Sequence, residues 1–250
     1  MTAPKLLSTI LFATLLSSAG VSAEIFDQSE LGEGFDKQGP AEIENARKEI
    51  EATFSKAVLP NQLSSEDKAA ILANYQHLDP NKEVPADLLE QTVLYFDANK
   101  TGFPNQAYIT IIDFAVHSSH QRLFVIDMAT GVVEKFRTTH GWASDKDSNG
   151  YAESFGNVVN SGKSSLGFSR TGEVYWGKFK RSIRLDGLST TNSKMRERAI
   201  VLHGWDKAFE RQEIQGLSWG CPALDWSVKD AIIDKVKEGS LMFLGVSASK

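Results

Sequence analysis

The sequence is poor in cysteine, in positive charge and in long apolar runs. Cys221 is the only cysteine among 250 residues, so no disulfide can form within the chain. The 27 Lys and Arg residues are outnumbered by 32 Asp and Glu residues, which gives a formal net charge of −5. No basic cluster interrupts this acidic background. These absences argue against nucleic acid as a partner and against binding to an anionic membrane surface.

The one apolar run of any length lies at the start of the chain. Residues 1–23 combine Lys5, an apolar run over 6–16 and the small residues Val21-Ser22-Ala23. This pattern predicts a secretory signal peptide that is cleaved after Ala23. The run is shorter and richer in Ser and Thr than a membrane anchor, and no later run is long enough to cross a bilayer. We therefore expect an exported protein without a transmembrane segment, in the periplasm of a Gram-negative bacterium.

An unpaired thiol in an exported protein is open to oxidation, so it persists mainly where it is buried or chemically used. Cys221 lies between Gly220 and Pro222 and follows His203 by eighteen residues. Three interpretations are open: a buried core cysteine, a cysteine that pairs with another molecule, and a nucleophile with a histidine base. A zinc site is disfavoured, because one cysteine and one nearby histidine are too few ligands.

The residues around Cys221 favour the nucleophile. Imidazole has the pKa that is needed to take a thiol proton near neutral pH, which makes His203 the candidate base. Gly220 allows a substrate to approach the backbone closely and lets amide groups face a developing oxyanion. A helix predicted to begin near Asp225 directs its positive end toward the thiol, which favours a thiolate.

Two polar segments resemble the start of a calcium loop. Residues 145–150 and 97–102 have the early Asp and Asn positions, but Gly156 and Tyr108 stand where the bidentate Glu of such a loop belongs. Turns are the favoured interpretation of both, and only 145–150 stays open as a calcium site. A histidine metal cluster is likewise disfavoured against a solvated loop; its members would be His117, His120 and His140. We expect no metal and no cofactor.

Hydrophobic spacing predicts an α+β fold with a mainly antiparallel sheet. Three helices are expected over 41–59, 64–75 and 85–95, with Ser64 and Asp67 as a capping box. They are expected to pack on the following domain, because three short helices make a thin core alone. A fourth helix is expected over 225–239. Strands are expected over 108–114, 122–127, 132–138, 173–176, 181–185, 199–202 and 241–246. The predicted division is a signal peptide (1–23), a flexible lead with the helices (24–98) and a catalytic domain (99–250).

The histidine precedes the cysteine in the sequence. This order argues against a papain-like peptidase, because such enzymes place the cysteine first. His203-Gly204 followed by Ser218-Trp219-Gly220-Cys221 resembles the signature of the L,D-transpeptidase (YkuD-like) family. The form Ser218–Ala223 is similar to the branch called murein L,D-transpeptidase catalytic domain family 2. Supporting similarity covers 108–114, 122–127, 140–141, 164–168 and 182–188.

The resemblance implies a cysteine acyltransferase that acts on peptidoglycan stem peptides. Cys221 would attack the diaminopimelate–D-alanine bond, His203 would move the proton, and the Gly204 carbonyl would orient the imidazole. The remaining implied residues are Gly220 and Ser218 for the oxyanion and the loop, and Trp219, Ser164, Ser165, Gly167 and Arg184 for substrate. A hydrolytic variant (a carboxypeptidase, or an amidase that releases an attached protein) and an inactive peptidoglycan-binding module are the alternatives.

Two positions depart from the family pattern. Trp219 stands where most members have His or Asn, and Ala223 stands where most have Arg or Asn. The second change removes a polar group that orients substrate, and Arg184 or another side chain is expected to substitute for it.

Overall fold

A computed structural model describes residues 38–248 of the protein. The predicted signal peptide and most of the predicted flexible lead lie outside the described residues. Within 38–248, no helix has both the length and the apolar character that crossing a membrane requires.

All four helices that the sequence predicts are present, as α1 (Pro40–Phe54), α2 (Ser65–Asn74), α3 (Ala86–Ala98) and α4 (Trp226–Val236). The predicted cap residues are present, but Ser64 and Asp67 form only half of the predicted capping box, because the Asp67 carboxylate accepts the Ser64 hydroxyl at 2.7 Å and not the Ser64 backbone amide. The Ser64 hydroxyl accepts the Asp67 amide at 3.0 Å and begins α2. The Asp225 carboxylate accepts the Ser227 amide at 2.8 Å and begins α4. Helix α1 ends at Phe54, earlier than the sequence predicts, before a 3-10 turn at Pro60–Gln62.

The strands form one eight-stranded sheet and one two-stranded sheet. Their order in the large sheet is β3-β2-β1-β10-β5-β6-β7-β9, and β4 pairs with β8 in the small sheet. The strands are β1 (Tyr108–Asp113), β2 (Leu123–Asp127), β3 (Val133–Phe136), β4 (His140–Gly141), β5 (Gly167–Gly177), β6 (Lys180–Gly187), β7 (Val201–Gly204), β8 (Leu217–Ser218), β9 (Ala223–Leu224) and β10 (Leu241–Gly245).

The expectation of a mainly antiparallel sheet is wrong, because the sheet is mixed. The pairs β1–β10, β7–β9 and β4–β8 are parallel. Parallel neighbours need a crossover connection; for β1 and β10 it is the whole chain between them, which ends with α4. The β7–β9 pair matters most for the site, since it places His203 opposite the strand that follows Cys221.

The large sheet nearly closes on itself at the end of β3. The residues after β3 bond to β9 at the opposite edge: the Thr138 hydroxyl donates to the Ala223 carbonyl at 3.0 Å, and the Thr139 amide donates to the same carbonyl at 3.2 Å. These bonds cover two sheet edges that would otherwise expose unpaired backbone groups. They also tie the start of the small sheet to the strand that follows Cys221.

Alternating side chains of the central strands build a core on each face of the large sheet. In β1, Ile109 and Ile111 belong to one core and Ile112 to the other, as the period of two requires. Helix α3 covers the first core, where Tyr95 stacks on Phe168 with ring centroids 3.9 Å apart. Helix α4 covers the second core, which includes Cys221. The helical region thus packs on the sheet, as the sequence favours.

Candidate active site

The histidine lies on one of two adjacent parallel strands, and the cysteine lies just before the other. His203 of β7 is paired in register with Ala223 of β9, and Cys221 lies two residues before that partner. The seventeen residues between His203 and Cys221 leave β7 and return through β8, and β9 begins two residues after Cys221. The site is therefore built on sheet edges, which hold side chains more rigidly than free loops do.

The position and the tautomer of His203 are set by its neighbours. Its Nδ1 lies 2.9 Å from the carbonyl oxygen of Gly204. Because a carbonyl can only accept, Nδ1 carries the proton and Nε2 keeps a free lone pair. The Phe179 ring stacks on the imidazole with centroids 4.0 Å apart, which fixes the ring plane.

The imidazole of His203 is neutral in this setting. Burial lowers its pKa to about 4, although the hydrogen bond to Gly204 opposes that shift. The positive charge of Lys229, on α4, lowers the pKa further. An imidazole of this kind accepts a proton only when the reaction delivers one, so His203 is chemically able to act as a general base.

Cys221 is a protonated thiol with 3% of its surface exposed. Its Sγ lies 3.7 Å from the Ala199 carbonyl oxygen, which accepts the weak S–H hydrogen bond. Burial raises the pKa of the thiol to about 11, while the Val201 amide and the charge of Arg198 oppose that shift. The helix dipole was expected to favour the thiolate, but the effect of burial on the thiol pKa is larger and keeps the thiol protonated. At neutral pH the pair is thiol and imidazole, not thiolate and imidazolium.

The turn before Cys221 requires glycine. Gly220 has φ +110°, and a Cβ there would lie 2.4 Å from the Lys163 carbonyl oxygen. The Ser218 hydroxyl spans the turn, since it accepts the Gly220 amide at 3.1 Å and donates to the Cys221 carbonyl at 2.7 Å. The Gly220 amide would have to leave Ser218 in order to serve an oxyanion.

Thr139 holds the chain on the other side of the cysteine. Its hydroxyl donates to the Cys221 carbonyl at 3.0 Å and accepts the Ala223 amide at 2.9 Å. The side chain is fully buried, so both bonds act in a region that water does not enter. Thr139 and Ser218 together leave the Cys221 backbone little freedom to move.

The predicted substrate residues of the 164–167 segment are mostly enclosed. The Ser164 hydroxyl accepts the Gly141 amide at 3.0 Å, and the Ser165 hydroxyl donates to the Gly156 carbonyl at 2.8 Å. Both serines are buried, at 0% and 1% exposure, and they brace the loop that faces Gly220. Gly167 opens β5 with φ +121° and lies against Ser189 and Thr191.

Two arginines lie near these elements, and they have different neighbours. Arg184 approaches Glu173 at 3.2 Å and sits over the Tyr175 ring at 4.1 Å. Arg198 is the cation that acts on the Cys221 thiol. The sequence singled out Arg184 as the substitute for the missing polar group at Ala223, whereas the structure brings Arg198 to the site.

Trp219 forms an aromatic wall with Trp142. The two rings meet edge to face with centroids 5.8 Å apart. Both indole N–H groups are buried and have no hydrogen-bond partner.

The candidate calcium loop and the histidine cluster have structural roles instead. Asp145 accepts from the Gly150 amide at 2.8 Å and the Asn149 amide at 3.0 Å, and its carboxylate lies 3.2 Å from His140 Nε2. His140 is buried rather than solvated, and its Nδ1 accepts from Arg122 at 2.8 Å. Between residues 38 and 248, no three His, Cys, Asp or Glu side chains come together as a metal site would require.

Sequence reasoning missed Phe179, Thr139 and Arg198. Phe179 lies in the tight turn between β5 and β6, and Thr139 lies in a connection before a two-residue strand. Arg198 belongs to a charged stretch that resembles a solvated surface. None of these positions has a local pattern that would mark it, because each reaches the site through tertiary pairing.

The fold and the site thus define a protein with a buried histidine and a buried cysteine on or beside adjacent parallel strands of a mixed sheet. A family model described as the L,D-transpeptidase catalytic domain matches residues 80–244, more than half of the chain. The chain belongs to this family. No curated protein matches it.

Solved structures give distant matches. The L,D-transpeptidase from Mycobacterium smegmatis is 13% identical with a TM-score of 0.35, over 55% of this chain and 58% of that one. The helical cell shape determining protein Pgp2 from Campylobacter jejuni is 12% identical with a TM-score of 0.36, over 59% and 50%. The L,D-transpeptidase from Stackebrandtia nassauensis is 16% identical with a TM-score of 0.35, over 82% and 93%. The chain matches only half to three-fifths of the length of the first two.

Proposed function

We propose that the protein is a peptidoglycan L,D-transpeptidase with Cys221 as nucleophile and His203 as general base. The observation that carries this proposal is the 2.9 Å bond from His203 Nδ1 to the Gly204 carbonyl, in a strand paired with the one that follows Cys221. This bond leaves Nε2 free to accept a proton. Membership of the L,D-transpeptidase catalytic domain family supports peptidoglycan stem peptides as the substrate.

The first step is acylation of the enzyme. Cys221 Sγ attacks the carbonyl carbon at the L-centre of diaminopimelate while its proton passes to His203 Nε2. The C–N bond to the terminal D-alanine then breaks, and His203 returns the proton to the leaving amine. The product is a thioester on Cys221 and free D-alanine. Since the resting pair is neutral, the proton transfer and the attack are coupled.

The second step decides which reaction the enzyme performs. An amine of a neighbouring stem attacks the thioester carbonyl, His203 takes its proton, and the thiol returns as the leaving group. Water in place of the amine would give hydrolysis. Trp142 and Trp219 form an aromatic wall beside the loop of Cys221, which supports a site for a peptide acceptor.

One observation favours a second candidate. Cys221 is almost fully buried, and burial raises the pKa of its thiol to about 11. An inactive peptidoglycan-binding module would tolerate such a thiol. In a transpeptidase, the catalytic hydrogen bonds tighten and the thiol proton leaves only when substrate is bound.

Incubation of the purified protein with a disaccharide-tetrapeptide separates these candidates. A crosslinked dimer with free D-alanine supports the transpeptidase. Disaccharide-tripeptide with free D-alanine and no dimer supports the hydrolytic variant, and binding without turnover supports the inactive module. Cys221→Ala is the control, because it keeps the fold and removes the nucleophile.

We also propose export to the periplasm, on the basis of the signal-peptide pattern in residues 1–23. Fractionation of cells that produce the full chain tests this. Recovery of the protein in the cytoplasm with its first residues intact would overturn it.

A further inference from the structure

Arg198 is a charged side chain without an ionic partner. Its guanidinium donates to the carbonyls of Gly156 (2.8 Å) and Lys163 and to the hydroxyls of Ser165 and Ser161 (3.4 Å). All four acceptors are neutral. None of the ion pairs found among the described residues includes Arg198. Arg196, by contrast, faces Asp186 at 2.7 Å, whereas the fully buried Arg122 is also held by neutral acceptors.

The neighbour that faces this charge is the loop of Cys221. Arg198 Nη2 lies 3.1 Å from the point where a Cβ on Gly220 would stand. The next residue, Ala199, gives the carbonyl that accepts the Cys221 thiol at 3.7 Å. Ala199 has φ +52°, in the left-handed region that alanine rarely adopts. Because of this bend, the Arg198 side chain and the Ala199 carbonyl both face the loop of Cys221. Such backbone conformations cluster at functional sites.

The other charged and titratable groups at the thiol are few. His203 approaches from β7 and is neutral, because burial lowers its pKa to about 4. Lys229 approaches His203 from α4. Arg198 is the fixed charge that acts directly on Cys221, and it favours the thiolate against burial.

We propose that Arg198 is a positioning residue whose fixed positive charge stabilises the Cys221 thiolate as the thiol proton leaves. This inference rests on the proposed role of Cys221 as a nucleophile. It assigns the loop segment 156–165 a second purpose, which is to hold the guanidinium in place through neutral acceptors that do not cancel its charge.

Alkylation of Cys221 by iodoacetamide reports this charge directly. The sulfur–carbon bond forms, the carbon–iodine bond breaks, iodide leaves, and the thiol proton passes to His203 or to solvent. Because Cys221 is the only cysteine, each alkylation event is an event at the site. The rate at a fixed pH below the thiol pKa follows the thiolate fraction.

The test compares alkylation rates of Arg198→Gln, Arg198→Lys and wild type over a range of pH. We expect Arg198→Gln to react about tenfold more slowly at pH 8, with its pH profile displaced to higher pH, since a nearby opposite charge shifts a pKa by one unit or more. Arg198→Lys keeps the charge and should stay within about twofold of wild type. Arg181→Gln also removes one positive charge, far from the thiol, and should leave the profile unchanged.

Several outcomes would overturn the proposal. If Arg198→Gln keeps the wild-type pH profile, the charge of Arg198 does not stabilise the Cys221 thiolate. Arg198→Lys as slow as Arg198→Gln would assign Arg198 to bracing the loop alone. If Arg198→Gln does not fold by circular dichroism, the Arg198→Lys profile decides by the same criterion. Failure of tetrapeptide turnover with a normal, Arg198-dependent alkylation profile would sink the proposed transpeptidase and spare this inference.

Discussion

The Nδ1 atom of His203 lies 2.9 Å from the carbonyl oxygen of the next residue, Gly204. The partner is backbone, so the tautomer of the imidazole does not depend on a carboxylate side chain. Nε2 is left as the proton acceptor. In many triads an ionised acid orients the histidine and stabilises its cation; a neutral carbonyl gives less help to the cation. A low pKa of His203 is the expected consequence.

Acylation should therefore stay active in mildly acidic solution. The base works while His203 is neutral, so the rate is lost as the pH falls through the His203 pKa of about 4, instead of near the 6.5 of an ordinary histidine. We expect the rate of acylation by a carbapenem to be nearly flat between about pH 5.5 and 8. Stopped-flow or mass-spectrometric rates at each pH measure this.

The matched control is His203→Ala, which should lower the acylation rate by about 10²- to 10⁴-fold. An acid limb with its midpoint near pH 6.5 in the wild type would contradict the assignment of a buried, neutral base. So would a His203→Ala variant that reacts at the wild-type rate.

Gly220 should not accept a side chain. Gly220→Ala places a Cβ 2.4 Å from the Lys163 carbonyl, at φ +110°. Strain of this kind costs about 1–3 kcal/mol, and displacement of Cys221 should slow acylation by about a hundredfold. Gly156→Ala is the control, because its Cβ would meet only the flexible Lys163 side chain at 3.2 Å. Equal stability and activity of the two variants would show that the turn is not constrained as described.

The hydroxyl group of Thr139 should contribute more to stability and to the acylation rate than the shape of the side chain does. Thr139→Val keeps the volume but leaves the Ala223 amide and the Cys221 carbonyl without this partner. Unsatisfied buried groups cost about 1–3 kcal/mol each, so urea unfolding should show a loss of that order. Thr139→Ser keeps the hydroxyl and should retain most of the stability and the acylation rate. A valine variant as stable and active as the serine variant would contradict the role.

The free energy of unfolding should fall in weak acid, because His140 binds a proton more readily in the unfolded chain than in the folded protein. Burial lowers the pKa of His140 to about 4, with the hydrogen bond to Asp145 opposing and the charge of Arg122 adding to the shift. The unfolded chain takes the proton first, so stability is complete above pH 6.5 and falls as the pH approaches 4. The expected loss from this one group between pH 7.5 and 5 is about 2 kcal/mol.

Urea unfolding of wild type and His140→Gln at both pH values isolates this contribution. The variant is expected to be less stable at pH 7.5 and to lose about 2 kcal/mol less on acidification. His77→Gln, at an exposed histidine, should follow the wild type. Parallel pH dependence of the wild type and His140→Gln would rule out the buried neutral histidine.

Local patterns of the sequence predicted the helices and most of the strands. Ser64 and Asp225 mark helix starts because their side chains cap orphan amides three and two residues away. The two-residue period of 108–114 marks a strand because it reflects the pleat. These signals act over a few residues, and a sequence displays them directly.

The mixed sheet and the surroundings of the thiol were beyond such signals. The parallel pairing of β1 with β10 joins residues more than a hundred positions apart. The sequence of neither strand indicates which strand it pairs with. Strands β4, β8 and β9 have two residues each, which is too short for any period. The position of Arg198 depends on the positive φ of Ala199, for which alanine gives no sign.

The central claim is that Cys221 is a nucleophile, and intact-mass spectrometry with a carbapenem tests it most directly. A carbapenem acylates the nucleophile by ring opening, so the protein should gain the full mass of one molecule. The account predicts one adduct on the wild type, placed on the peptide that contains Cys221, and none on Cys221→Ala. A wild-type protein that stays unmodified with several carbapenems, while still folded, would contradict the account and favour the inactive peptidoglycan-binding module.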